Sequence, residues 1–234
     1  MHIKKTQMPI SWPVPRKGKR KRFIAIPSHA TSKGISLLFL LRDVLKIVKT
    51  RKEARYMVLN GMVKVSNQIR KDENFPVQVF DTLTLGKSVT KNVSTNIKEL
   101  NYKLEIINKK FNLVEISAKD AENKIVKING KKILGKGKIQ MNLEDGQNFI
   151  VKEKFSVGDS VFINTKEKKI VKILPLKKGA KVEIIAGKHV GKKGELIGFE
   201  ELIRGRNYEI KLNKIDEVES KVVSLPYKTI LVIE

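Results

Sequence analysis

Arg51, Lys52 and Arg55 fall within a single helical turn, so a helix through them projects three cations from one face. Two are arginines, whose planar forks match phosphate oxygens as the point charge of lysine does not. A second set, Lys188, His189, Lys192 and Lys193, sits among Gly187, Gly191 and Gly194. Glycines there permit positive φ and close backbone approach, so these cations are expected at the tip of a loop. A third set crowds the start of the chain: Lys4, Lys5, Arg16, Lys17, Lys19, Arg20, Lys21 and Arg22. All three arrangements suit a polyanion. Nothing suits catalysis, because the acids are scattered and no nucleophile stands in a recognisable setting. The chain has no Cys, and its three His (His2, His29, His189) lie far apart, so no disulfide, metal centre or other cofactor is expected. Gly86-Lys87-Ser88 ends like a phosphate-binding loop, but that loop needs glycine where this chain has Asp81. Neither a nucleotide site nor a small-molecule substrate is expected.

The whole chain agrees with these local sets. In 234 residues, 49 Lys and Arg oppose 24 Asp and Glu, a formal net charge of +25. Such an excess repels itself, and a polyanionic partner is its simplest explanation. Nucleic acid is the leading partner and an acidic membrane surface the second. The longest apolar run, Leu37 to Leu41, is five residues, against the roughly 20 of a membrane span. With neither a span nor a hydrophobic leader, the protein is expected in the cytoplasm with no membrane partner. Residues 1–34 carry nine Lys or Arg and no acid, whereas 195–234 carry six bases and eight acids, so the C-terminal end is not a binding tail. Seven of the nine Arg lie at or before Arg70, which puts shape-specific phosphate contacts in the first third.

These cations need elements to hold them. Residues 1–34 have no period of 2 or 3.6 and contain four Pro, which predicts an extended basic arm that orders on RNA. Trp12 there either stacks on a base or packs on a neighbouring domain. Leu37, Leu38, Leu41, Val44, Leu45 and Val48 predict a helix over 35–49, with Arg42, Lys46 and Lys49 on its opposite side. Thr50 with Glu53 three residues on is a capping box for the next helix, and Gly61 suits its stop. Ala54, Met57 and Val58 turn inward. Val63-Lys64-Val65 alternates as a strand with Lys64 as a further contact, Ser66-Asn67 turns, and a second strand follows from Gln68 to Arg70. Strand material continues from Phe75 to Leu85.

The middle of the chain reads as β structure. Lys103 to Ile107 and Phe111 to Ile116 form a hairpin, and Asn129-Gly130 between Ile125–Ile128 and Lys131–Leu134 predicts another, since Asn-Gly fits a primed turn. Asp145-Gly146 turns, and Val157-Gly158-Asp159 leads into a strand ending near Ile163. Tyr208 to Leu212 and Thr229 to Ile233 supply late strands. The acidic stretch Asp216-Glu217-Val218-Glu219 between them is expected to face away from RNA.

Arg42-Asp43-Val44-Leu45, followed by Thr50-Arg51, Ala54, Met57-Val58, Gly61, Val63 and Val65 at fixed spacing, resembles a helix-helix-hairpin RNA-binding domain. That domain is shared by a small-subunit ribosomal protein, pseudouridine synthases and a bacterial tyrosyl-tRNA synthetase. This chain has Ser66-Asn67 where the family usually has Asn-Gly, and Thr50 in place of the usual Ser. Lys178 to Leu196 resembles the KOW motif of ribosomal proteins and transcription elongation factors, with Ala180 where Asp is frequent. The KOW motif is a strand-loop-strand unit of an SH3-like barrel. The order of parts, with His2-Ile3-Lys4-Lys5 and Trp12 in the arm and Val157-Gly158-Asp159 before the second motif, is similar to the S-four-e family of archaeal and eukaryotic small-subunit ribosomal proteins. The resemblance implies an α+β, β-rich, multidomain chain. Its expected parts are a basic extension over 1–34, the RNA-binding domain over 35–92, a central β domain over 93–174 and a KOW SH3-like β-barrel over 175–234. It implies no enzyme activity, and partners in small-subunit ribosomal RNA and neighbouring ribosomal proteins. An RNA-modifying enzyme needs a catalytic domain that the chain does not display. A non-ribosomal or transcription-associated KOW factor is the remaining alternative.

Overall fold

The computed structural model describes residues 2–16, 22–29, 31, 33–86, 99–135, 137–203, 205–213 and 222–233. The chain divides into two units, Met1–Lys124 and Ile125–Glu234. Lys17, Lys19, Arg20, Lys21, Lys87, Ser88 and the acidic stretch at 216–219 lie outside the described residues.

The first unit runs through β1 (His2–Lys4), β2 (Phe23–Ala25), β3 (Gly34–Ser36), α1 (Leu37–Phe39), α2 (Arg51–Leu59), β4 (Val63–Val65) and β5 (Gln68–Ile69). It continues through β6 (Pro76–Gln78), β7 (Thr82–Leu85), β8 (Leu100–Ile107), β9 (Lys110–Glu115) and α3 (Ala118–Ala121). β1 pairs antiparallel with β2, His2 opposite Ala25, and β3 pairs with β6. The other strands form one sheet in the order β5-β4-β7-β8-β9.

The described residues of 1–34 therefore do not stand off as an extended arm. Met8, Trp12 and Ile24 are buried, and the Trp12 ring lies 5.6 Å from that of Phe39. Burying each such side chain is worth about 1.5–3 kcal/mol, enough to order a segment that has no period of its own.

The helix expected over 35–49 is shorter at both ends. Its first residues belong to β3, and after α1 the chain widens into π-type turns over Leu40–Val44, where the Leu45 N–H donates to the Leu40 carbonyl at 2.9 Å. Leu37 to Leu41 are all buried, as a segment that is apolar all round must be. Lys46 then turns left-handed at φ 56. Val48, expected on the helix face, is buried from a loop.

The strand expected over 75–85 breaks at Phe80, whose φ is +67. Asp81 braces that break by accepting from the Ser66 hydroxyl at 2.8 Å, the Gln78 N–H at 2.7 Å and Lys124 Nζ at 2.7 Å. The hairpin of β8 and β9 pairs onto β7, with Thr82 opposite Lys103. The strands on either side of the expected boundary at 93 thus belong to one sheet, and the first unit extends to Lys124.

The second unit contains β10 (Asn123–Gly135, entered from the first unit), β11 (Lys138–Leu143), β12 (Asn148–Val151), β13 (Ser160–Asn164), β14 (Lys169–Leu174) and β15 (Lys181–Ile184). Beyond these come β16 (Lys193–Leu202), β17 (Gly205–Leu212), β18 (Val222–Pro226) and β19 (Ile230–Val232). The hairpin expected at Asn129-Gly130 is not formed. A primed turn requires positive φ at both positions, and neither residue has it. β10 instead runs straight through, with the register shifting between Ile128 and Gly130 as a bulge. The Asp145-Gly146 turn joins β11 to β12, with Gly146 at φ 86.

Two five-stranded sheets result, ordered β12-β11-β10-β13-β14 and β18-β17-β16-β15-β19. Ile128, Met141, Val161 and Ile163 centre one core, and Val182, Ile184, Ile210 and Ile230 the other. Polar groups tie the sheets together. The Asp159 carboxylate accepts from the Ser156 N–H at 2.8 Å and the Leu176 N–H at 2.9 Å, and Ser160 Oγ accepts from the Val232 N–H at 3.0 Å. The buried Lys127 ammonium donates to the carbonyls of Tyr227 and, at 2.8 Å, Ile230.

Candidate nucleic-acid interface

Helix α2 is fixed at both ends. At its start Thr50 Oγ1 accepts from the Glu53 N–H at 3.3 Å, while Glu53 Oε2 accepts from the Lys49 N–H at 2.8 Å and the Thr50 N–H at 3.5 Å. The Lys49 N–H, followed by the Thr50 hydroxyl, holds the Glu53 carboxyl below its ordinary value of 4.5. At its end Gly61 takes φ +71, its N–H donates to the Val58 carbonyl, and the Met62 N–H donates to the Met57 carbonyl. This pair of bonds is a Schellman stop. Ser66 and Asn67, both at positive φ, then make the primed turn between β4 and β5.

With its phase fixed, α2 buries Ala54 and Val58, half-buries Met57 and exposes Arg51, Lys52 and Arg55. The three cations differ in their surroundings. Arg51 donates through Nε at 2.9 Å, and through Nη2, to Glu73 Oε1. That hydrogen bond, with the attraction of the charge, raises the guanidinium above its ordinary value. The Arg51 side chain is 62% exposed and that of Glu73 10%, so a buried carboxylate aims an exposed cation. Lys52 and Arg55 form no ion pair among the described residues. Arg42 is half-buried and donates to Asp43 through Nε at 3.1 Å and Nη2 at 2.7 Å. Lys46 and Lys49 are exposed, and Lys64 is half-buried.

Near the start of the chain Lys4, Arg16 and Arg22 are exposed and Lys5 half-buried, with Arg16 Nη2 donating to the Met8 carbonyl at 2.6 Å. Trp12 is a correction. Fully buried against Phe39, it has no face left for a base, and its role is packing.

The glycine-rich loop lies in the second unit, between β15 and β16. Lys188 and Lys193 are exposed, and His189 and Lys192 half-buried. Gly187 and Gly191 have φ of 98 and 81, and the Gly191 N–H closes the loop on the Ile184 carbonyl at 2.7 Å. Gly194 serves close approach instead, since a Cβ there would press into the Lys211 carbonyl.

Arg70 and Glu73 were not singled out by sequence. Arg70 lies over the Phe75 ring at 4.4 Å and donates to Gln68 at 2.7 Å, while Glu73 anchors Arg51 from 22 residues away. Arg70 pairs with near neighbours and carries no motif that marks it, whereas Glu73 has no local signal because its pairing depends on how the chain returns past the helix after β5. Among the described residues no group of three or more His, Asp or Glu side chains is placed to hold a metal ion, and no helix is long and apolar enough to cross a membrane.

Residues 101–170 match the family described as ribosomal family S4e. A protein of Pyrobaculum aerophilum named small ribosomal subunit protein eS4 is 32% identical over 231 residues, spanning 96% of this chain and 93% of that protein. The protein of the same name from Archaeoglobus fulgidus is 31% identical over 199 residues, spanning 85% of this chain and 80% of its own length. Among solved structures, the crystal structure of the 30S ribosomal protein S4e from Thermoplasma acidophilum shares the fold. Its TM-score is 0.67 at 24% identity, over 86% of this chain and 95% of that one.

Proposed function

The chain belongs to ribosomal family S4e, and on that premise we propose how its residues serve a structural constituent of the small ribosomal subunit, supporting translation. In this reading the first unit carries the helix-helix-hairpin RNA-binding module expected at 35–92, lengthened by β8 and β9. The sheet over 175–234 acts as the KOW barrel. Small-subunit ribosomal RNA meets the α2 face through Arg51, Lys52 and Arg55, with Arg42, Lys46, Lys49 and Lys64 beside it. It meets the loop through Lys188, His189, Lys192 and Lys193, and the N-terminal segment through its lysines and arginines. Neighbouring ribosomal proteins are the other partners, in the cytoplasm.

The observation that carries this reading is the α2 face, where Lys52 and Arg55 stand exposed beside an Arg51 already oriented by Glu73, on a helix fixed at both ends. Orienting a guanidinium beforehand lowers the entropy lost when it meets phosphate. Several such contacts on one RNA raise each other's local concentration. With roughly ten phosphates neutralised, log affinity for irregular RNA falls with log salt at a slope near −7. Filter binding of a small-subunit ribosomal RNA fragment across a salt series tests the face. Arg55→Ala weakens binding and makes the slope shallower by about 0.7. Parent-like affinity and slope would remove Arg55 from the interface. Sedimentation of a cell extract tests the whole reading: the protein travels with free small subunits and ribosomes in moderate salt, and recovery only in the soluble top fraction would defeat it.

A further inference from the structure

Between the β1–β2 pair and the helical segment of the first unit is a cavity of about 160 Å3. Phe23, Ile24, Ala25 and Leu38 give it an apolar lining, and His2 stands edge-on to Phe23 with ring centroids 5.0 Å apart. Arg42, Arg51 and Asn74 complete the lining. The space is well below the roughly 300–1,000 Å3 of drug-sized ligand sites, so it takes a single ring system and little more.

The polar groups are set for an anion attached to that ring. Arg42 and Arg51 each spend Nε and Nη2 on one carboxylate, Asp43 and Glu73, which fixes the plane of each guanidinium and leaves the Nη1 edge uncommitted among the described residues. The Asn74 backbone is spent, its N–H on Asp72 and its carbonyl on the Ser28 N–H. Its side-chain amide, a donor and an acceptor together, forms no hydrogen bond among the described residues.

We propose that this cleft receives one unpaired nucleobase of the bound RNA, with its phosphate on Arg51 and Arg42 and Asn74 on the base edge. The inference rests on the RNA-binding reading above and narrows it to a recognised nucleotide. Unstacked bases taken up by aromatic and guanidinium surfaces are the usual source of sequence-specific RNA recognition, which the phosphate contacts alone do not provide. An apolar side chain from a neighbouring protein would fit the floor but would leave the Nη1 edges of Arg42 and Arg51 and the Asn74 amide unused. The β1–β2 pair forms one wall, so the cleft gives the N-terminal segment a base contact in place of the one that the burial of Trp12 removed.

The test uses the full chain and two RNA hairpins, one with a single bulged 2-aminopurine nucleotide and one with an abasic residue at that position. The bulged hairpin binds about tenfold more tightly, the scale of one base stacked on a protein platform. Its fluorescence reports a base withdrawn from solvent. Ala25→Phe fills the cleft and Phe23→Ala removes its aromatic wall. Each brings the affinity ratio of the two hairpins to one, a measure that cancels any general loss of RNA binding. Equal affinity of the parent for both hairpins overturns the cleft and leaves the RNA-binding reading standing, as does a preference that survives both substitutions. Failure to bind either hairpin at low salt overturns both, and so separates the two failures.

Discussion

Arg51 points two guanidinium donors at a single oxygen of Glu73, and the other oxygen of that carboxylate is buried without a hydrogen-bond partner among the described residues. The pair is therefore asymmetric. Arg51 loses little by separation because it is largely solvated, whereas Glu73 would be left as a buried charge with nothing to neutralise it. Arg51→Ala consequently costs folding stability as well as RNA affinity, about 1 kcal/mol once the exposure of the arginine is discounted. Adding Glu73→Gln removes the stranded charge and recovers most of that loss. Urea denaturation of the parent, the two single variants and the double variant gives the coupling directly. A cost for Arg51→Ala that is the same in the Glu73→Gln background as in the parent would show that the pair contributes nothing.

Trp12 is a stability residue. Its ring is enclosed and tilted 39° against Phe39. Trp12→Ala destabilises the first unit by about 3–5 kcal/mol, the usual range for a deleted core aromatic. Trp12→Phe costs much less, partly because the indole N–H is buried with no partner among the described residues and its removal relieves that penalty. Thermal or urea unfolding checks both. If Trp12→Ala left stability intact and only weakened RNA binding, the ring would have to leave its site to meet the RNA.

What was legible in the chain follows the range of the interactions that decide it. The capping box of Thr50 and Glu53, the Gly61 stop and the Ser66-Asn67 turn are all closed within six residues, and all three form. Features decided by distant contacts were misread. Asn129-Gly130 carries a strong local turn signal, but the pairing of β10 with β11 keeps both residues in a strand and stores the irregularity as a bulge. The sequence leaves Trp12 between stacking on a base and packing on a neighbouring domain because its own segment has no period, and the group that buries it, Phe39, lies on α1. The same holds for the interface. The exposed cations of α2 were visible from spacing, whereas Glu73, which aims one of them, was not.

Glu53 makes the α2 cap sensitive to acid. Its carboxyl is held below 4.5 in the folded chain, first by the Lys49 N–H and then by the Thr50 hydroxyl. A carboxylate with a lowered folded value adds stability above its unfolded value, and that contribution disappears as pH falls through the folded value. The cap is intact at neutral pH and is lost as pH falls through the lowered folded value, below 4.5. Glu53→Gln therefore flattens the acid side of the stability profile and leaves its shape above pH 6 unchanged. Denaturation midpoints across pH 2.5–7 for parent and variant are the measurement. Parallel profiles over the whole range would mean that Glu53 does not titrate with folding.

Gly187 and Gly194 sit at opposite ends of the loop that presents Lys188 and His189, and they answer to substitution differently. At Gly187 a Cβ meets open space, but the residue is at φ +98, so Gly187→Ala costs about 1 kcal/mol of local strain and re-aims the loop. At Gly194 the φ is ordinary, but a Cβ would press into the Lys211 carbonyl and come within 2.8 Å of Ile210 Cγ2. Gly194 is paired with Leu212, so relief requires β16 and β17 to part where Ile210 and Leu212 enter the core. Gly194→Ala therefore costs about 3 kcal/mol, the upper end of the usual range for overpacking. Urea unfolding ranks the two substitutions, and RNA filter binding separates their effects. Gly194→Ala acts chiefly on stability, while Gly187→Ala weakens binding more than its small stability cost explains. The reverse order of stability losses would mean that the loop conformation, and not the close approach of β16 to β17, limits this sheet.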